Sequence, residues 1–381
     1  MAVRVGVSRP VLDWALEHSA TDPADLAAQF NLDAWREGTA RPTFKQLESF
    51  ARKAGLPFGY LLLEEPPALR LPIPDFRAGF GRGLQEPSAN LYAVLHQSIQ
   101  RQEWFREYAA ANGLPKVEVV SRAAEWSPDA AAADMRVALA FELPLRRGSR
   151  SDVRRHLMRA FEKLGGLCVI TSVVGNSSSR SLDADEFRGF ALVDDAAPLV
   201  FVNAAQTLNG QIFTLAHELA HVWFGQSGIS DEDNRIQPHS EVERRCNAAA
   251  SAFLVPSEDL RSQASSVGPL ELTATLDRLA DRYRCGTLVV LLALEREGML
   301  ADVDMDAAYE QEVRRLQTLT QPATGQGGDF HNNQRYRAGE RLSRALIRDT
   351  QEGRTSFSEA MHLLNLSSPA SFDNYAERLG V

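Results

Sequence analysis

His217-Glu218-Leu219-Ala220-His221 places two imidazoles four residues apart with a carboxylate next to the first. On a helix, positions i and i+4 share one face, close enough for both rings to hold one divalent metal ion. Glu218 lies off that line and is placed to take a proton from water instead of joining the ligand set. With 8 His in 381 residues, this pattern arises by chance in roughly one such chain in a hundred. The flanks read as an interior helix. Asn209-Gly210 marks a start, Gly225 an end, and Ile212, Leu215, Leu219 and Val222 recur at spacings of three and four. Phe213, Ala220 and Phe224 make the opposite side apolar too, as in a buried helix. Polar groups inside such a wall need partners, which a metal ion supplies.

Two histidines leave the ion short of a protein ligand. Asp231, Glu232, Asp233, His239, Glu241 and Glu243 all follow within reach. Glu243 lies on a second helix, Ser240 to Leu254, closed by Pro256. It also has a structural reading, because Ser240-Glu241-Val242-Glu243 matches a capping box. Spacing alone leaves the third ligand open.

The motif followed by Glu243-x-x-x-Asn247 and an apolar run into Pro256 resembles the ImmA/IrrE family of metallopeptidases. The resemblance is strong over about residues 150–300. It implies His217, His221 and Glu243 as metal ligands, with Glu218 as general base. Arg188-Gly189-Phe190-Ala191 and Pro198 to Asn203 resemble the strand pair before that family's active-site helix. Cys246, in place of a small residue, and the bland Ala248 to Ala252 stretch depart from the pattern, and neither falls on the expected ligand set. Zn²⁺ is the implied ion, with Mn²⁺ as an alternative, and His239 is a candidate oxyanion donor.

The chain has 44% hydrophobic and 24% charged residues, as globular proteins do. No run of eighteen apolar residues indicates a membrane span, and the start lacks a signal-peptide core, so a cytoplasmic protein is expected. Cys168, Cys246 and Cys285 form neither a disulfide framework nor a C-x-x-C pair, and read as buried thiols. The net charge of −9 opposes nonspecific nucleic-acid binding by the whole molecule. There is no phosphate-binding glycine loop, internal repeat or Ser-His-Asp spacing.

The expected fold is α+β and mostly helical, in four stretches. Residues 1–70 carry short helices: one from Asp22-Pro23 to Phe30, one over Leu32 to Glu37 closed by Gly38, and one opened by the capping box Thr43 to Gln46. With the Trp35-x-x-Gly38-x-x-x-Pro42-Thr43 pattern, they resemble a phage-repressor helix-turn-helix whose Leu32–Glu37 helix enters the major groove. Yet residues 1–70 hold 8 Lys and Arg against 9 Asp and Glu, a net charge of −1, which gives little phosphate affinity. Docking of a protein partner is therefore expected at least as much as DNA binding. Residues 71–150 read as a Pro-rich stiff linker to Pro74 followed by scaffold helices, including one from Ser127-Pro128 to Leu139.

Residues 151–317 form the zincin-like metallopeptidase domain. Its expected elements are a Ser151–Leu164 helix, strands at Leu167–Val174, Phe190–Val193 and Leu199–Asn203, a serine-rich loop Gly175–Arg180, the active-site helix, and helices near Leu270–Arg282 and Thr287–Glu297. Residues 318–328 read as a linker to a helical C-terminal region, 329–381. There, Arg337, Arg341, Arg344 and Arg348 align on one face, a solvated stripe or a surface for an acidic partner, opposite Ala338, Leu342, Ala345 and Leu346.

Two functions follow. One is a zinc metalloendopeptidase that, as the resemblance implies, cleaves a repressor-like protein regulator. The other is a regulatory, antitoxin-like member of a two-gene module that neutralises a partner such as a nuclease toxin. The intact His217, Glu218, His221 and Glu243 set favours the enzyme, since a pure binding module has no need of Glu218.

Overall fold

A computed structural model describes residues 4–19, 21, 23–67, 71–77, 86–178, 180–230, 240–264, 267–268, 270–300, 303–319 and 330–381. The first helices are α1 (Arg9–Glu17), α2 (Pro23–Ala27), α3 (Leu32–Arg36) and α4 (Phe44–Ala54). Their apolar faces meet in one cluster containing Val11, Leu12, Trp14, Leu26, Trp35, Leu47 and Phe50. Thr43 starts α4 with both arms of the expected capping box, and Gly55 ends it in the left-handed region. Helix α2 stops at Ala27, short of the expected Phe30. Asp22 lies outside the described residues.

The middle of the chain runs α5 (Ala89–Ala111), α6 (Pro128–Ala138), α7 (Arg150–Lys163), β1 (Leu167–Thr171), β2 (Gly189–Leu192), β3 (Leu199–Asn203), α8 (Leu208–Phe224), β4 (Gly228–Ser230) and α9 (Glu241–Leu254). Then come α10 (Ser257–Gln263), α11 (Leu272–Tyr283), α12 (Thr287–Arg296), α13 (Met305–Leu319), α14 (Phe330–Arg337), α15 (Glu340–Gln351), α16 (Phe357–Leu363) and α17 (Pro369–Leu379). Among the described residues no helix is long and apolar enough to cross a membrane.

The four strands form one sheet in the order β1-β3-β2-β4. Strand β3 is parallel to β1 and antiparallel to β2, and β2 is antiparallel to β4. Every strand residue is buried, so both faces must be covered. Cys168, Ile170, Val200 and Val202 pack on one side with α7, α8, α9 and α12. Leu167, Val169, Phe190, Leu199 and Phe201 pack on the other with α5, α15, α16 and α17. The C-terminal helices, expected as a region of their own, thus supply the sheet's second layer.

Two sequence expectations change. The stretch around Pro74, expected as a linker, extends the sheet: Ile229 of β4 donates to the Pro74 carbonyl at 3.0 Å and Phe76 donates to the Ile229 carbonyl at 3.0 Å. Arg77 anchors it, with ion pairs to Asp75 at 2.8 Å and Glu186 at 3.5 Å. The edge of a sheet offers unpaired backbone groups, and an extended segment is the cheapest way to satisfy them. The C-terminal arginine stripe is also broken. Gly339, with φ +78°, separates α14 from α15. Arg337 donates to Asn176, and Arg341 reaches the Glu162 carbonyl and the Phe105 ring. Of the four, Arg337, Arg341 and Arg344 are partly buried and Arg348 is exposed.

Candidate metal centre

Helix α8 carries the motif. Thr207 caps it by accepting from the Gly210 amide, so the start precedes the expected Asn209-Gly210 by two residues. Gly225, φ +76°, closes it as expected. Gln211 to Phe224 are buried without exception, because α8 is wedged between the sheet and α9. His217, Glu218 and His221 have no exposed surface.

The two imidazoles turn the same nitrogen inward. Their Nε2 atoms lie 3.0 Å apart. Glu243 on α9 brings its carboxylate to 3.1 Å from His217 Nε2 and 3.0 Å from His221 Nε2. It does not act as a cap: Ser240 makes no side-chain cap bond at the start of α9. The outer ring nitrogens are held separately. His221 Nδ1 donates to the Gln226 carbonyl at 2.9 Å, and His217 Nδ1 to Asn247 Oδ1 at 2.8 Å. Such outer bonds fix tautomer and orientation. Ser230 of β4 adds a hydroxyl 3.3 Å from His217 Nε2.

This arrangement fits a metal ion. With a proton on each Nδ1, neutral rings present lone pairs from Nε2, and these face each other and a carboxylate at 3.0–3.1 Å. Acceptors that close repel unless a cation sits among them. Ligand bonds of about 2.0–2.1 Å in tetrahedral geometry put donor atoms about 3.3 Å apart, close to the spacing seen. Burial alone would raise the Glu243 carboxyl, but the two imidazoles outweigh it and hold the group well below the usual carboxylate range. Burial lowers the His221 imidazolium. A neutral ring beside an ionised carboxylate is the state that binds metal. Two imidazoles and a carboxylate suit zinc.

Cys246 is nearer than its sequence position suggested. Its Sγ shares a cluster no wider than 4.8 Å with ligand atoms of His217 and His221. The Glu243 carboxylate lies within hydrogen-bonding distance of both rings. Glu241 is exposed in the first turn of α9. Asp231, Glu232, Asp233 and His239 lie outside the described residues.

Two contributors were not legible in the sequence. Glu218 packs against Gly189 at the start of β2: a Cβ there would stand 2.6 Å from Glu218 Oε1 and 2.9 Å from the Phe201 carbonyl. Only glycine lets the carboxylate approach. Phe76 stacks on His221, ring centroids 6.2 Å apart and planes 14° apart, and a Cβ on Gly228 would meet its ring at 2.3 Å. Position 76 is 145 residues from His221 in sequence, too distant for any motif to join them.

Residues 172–295 match the peptidase family model described as the IrrE N-terminal-like domain. The chain therefore carries a peptidase-type domain, similar to that family over the stretch holding β2, β3, α8, β4 and α9. Residues 338–378 match a domain of unknown function, DUF8813, which covers α15 to α17. No curated protein matches the chain.

Proposed function

We propose that the chain is a metal-dependent endopeptidase of the HExxH type, acting on a repressor-like protein regulator. The observation that carries this reading is the convergence of His217 Nε2, His221 Nε2 and the Glu243 carboxylate within 3.1 Å inside a buried wall. These three residues would hold the ion, zinc in preference to manganese by donor type. A divalent ion bound there supplies an acidified water and polarises a scissile carbonyl. Glu218, on the adjacent face of α8, accepts the proton at its carboxylate and returns it to the leaving amine. Gly189 leaves the space that carboxylate occupies, and Asn247 and the Gln226 carbonyl keep both rings turned inward. The repressor-like substrate rests on the resemblance to IrrE-type peptidases.

Purified protein should carry about one equivalent of divalent metal, as a single three-ligand site predicts. His217→Ala with His221→Ala should empty it. Full metal occupancy in that double variant sinks the assignment.

The N-terminal bundle, on this reading, docks a protein partner and not duplex DNA. Its net charge is −1, and Arg36 of the expected recognition helix is paired with Asp13 at 2.7 Å. Titration of the full chain against labelled duplex at two salt concentrations tests this. Affinity no tighter than about 10⁻⁴–10⁻⁶ M is expected; tight binding with a steep salt slope would show a phosphate-contacting surface instead.

A further inference from the structure

Strand β4 ends on Ser230, which has no exposed surface, and its hydroxyl stands 3.3 Å from His217 Nε2. The same nitrogen faces His221 Nε2 at 3.0 Å and a Glu243 oxygen at 3.1 Å. Of these neighbours, the imidazole with its proton on Nδ1 and the ionised carboxylate offer only lone pairs. The hydroxyl is the one that brings a proton it can donate.

The sheet fixes the side on which that proton acts. Ser230 pairs with Gly189 of β2, and its carbonyl accepts from the Arg188 amide at 2.9 Å. Residues paired across antiparallel strands project to one face, with Cβ atoms about 4.5–5.5 Å apart. Here that face is the α8 side. At position 189 a Cβ would stand 2.6 Å from Glu218 Oε1, and at position 230 the hydroxyl reaches His217. Glycine therefore puts no side chain of its own between the Ser230 hydroxyl and the Glu218 carboxylate. A hydroxyl, a ligand nitrogen and the expected general base thus face one space, held there by a strand and a helix.

The metal centre gives this hydroxyl a task. Once an ion takes the lone pairs of both Nε2 atoms, His217 can no longer accept from Ser230. A buried O–H without an acceptor is costly, so the proton must turn to an oxygen on the same side. We propose that Ser230 is a catalytic residue of the endopeptidase, its hydroxyl donating a hydrogen bond to the oxyanion that forms on the scissile carbonyl. In that step the water oxygen bonds to the carbonyl carbon, the C=O π pair moves onto the carbonyl oxygen, and Glu218 takes a water proton. Ser230 keeps its own proton throughout. When C=O re-forms the C–N bond breaks, and the proton held by Glu218 leaves with the amine. A donor already aimed at the developing charge needs no reorganisation, and inside a buried wall its effect is largest. The inference rests on the endopeptidase reading above and adds the oxyanion donor.

The test uses acetohydroxamate and imidazole, each bound to the metal-loaded full chain and measured by calorimetry. Acetohydroxamate carries an anionic oxygen that can accept from Ser230, whereas imidazole ligates through nitrogen and has no oxygen. Ser230→Ala should weaken acetohydroxamate about tenfold or more, the scale of a lost hydrogen bond to a charged group. Imidazole affinity and metal content should stay unchanged. Ser230→Gly takes its place should the first variant fail to fold, with the same result expected. Equal acetohydroxamate affinity in wild type and variant overturns the oxyanion role and leaves the peptidase reading standing. Loss of metal, or equal weakening of both compounds, would make Ser230 a support for the ligand set and overturns the role as well. Failure of the wild type to bind either compound overturns the peptidase reading and the inference with it.

Discussion

Helices α4 and α9 begin with the same local pattern, Thr43-x-x-Gln46 and Ser240-x-x-Glu243, yet they end differently. At α4 the Thr43 hydroxyl accepts from the Gln46 amide at 3.2 Å, and Gln46 Oε1 accepts from the Thr43 amide at 2.9 Å. At α9 neither arm forms, because Glu243 turns to the imidazoles of α8. A third case is α15, whose N-cap Gly339 has no side chain to offer. There Glu162 of α7 accepts from the Glu340 and Arg341 amides at 2.8 and 3.2 Å. A helix start can be closed locally, closed by a distant residue, or left open when its acid is needed elsewhere. A cap is worth about 1 kcal/mol, whereas leaving a buried charge without its partner costs several. The stronger demand takes the carboxylate.

The largest effects should separate the acids at the metal centre. Glu218→Gln keeps size and should retain the metal while turnover falls roughly a hundredfold or more, the scale of lost proton transfer. Glu243→Ala should instead lower metal affinity, read by chelator competition. Loss of metal in Glu218→Gln with retention in Glu243→Ala reverses the roles assigned here.

The distant cap at α15 should show itself through pH. Burial outweighs the two amide donors and pushes the Glu162 carboxyl up to about 7, from an ordinary 4.5. Below 4.5 the group is protonated in both states and its contribution is fully present. As pH rises toward and through 7, the unfolded chain has released the proton and the folded one has not, so stability falls, by at most about 3 kcal/mol. Denaturant unfolding at pH 5 and pH 8 should reveal this slope in the wild type and a flatter one in Glu162→Gln. Identical slopes would mean that Glu162 is ionised throughout.

The smallest effects bear on the two matched patterns themselves. Thr43→Ala should cost about 1 kcal/mol, the usual worth of an N-cap. Ser240→Ala should stay within about 0.5 kcal/mol of wild type, as a substitution that removes no bond does. A cost at Ser240 equal to that at Thr43 would show that α9 is capped in solution and that Glu243 spends its time away from the imidazoles.

Local pattern carried the sequence reading a long way. Apolar periodicity placed α8 between Asn209-Gly210 and Gly225, two residues short of its actual start at Thr207, and β-branched runs placed β1 to β3, because burial imposes a period on each element. The His217–His221 spacing put two ring nitrogens on one face without any tertiary information. Local pattern could not choose between cap and inward-facing acid for Glu243, since both use the same residue at the same helical position. That choice was made when α9 packed against α8. Nor could it show that residues near Pro74 finish the sheet edge, that Phe76 leans on His221, or that Gly189 leaves space for Glu218. These contacts join segments tens to more than a hundred residues apart, and no short-range periodicity encodes them. By itself the sequence determined the elements and the chemical groups on their faces; the tertiary structure decided which groups meet, because close packing admits one mutual arrangement of those faces.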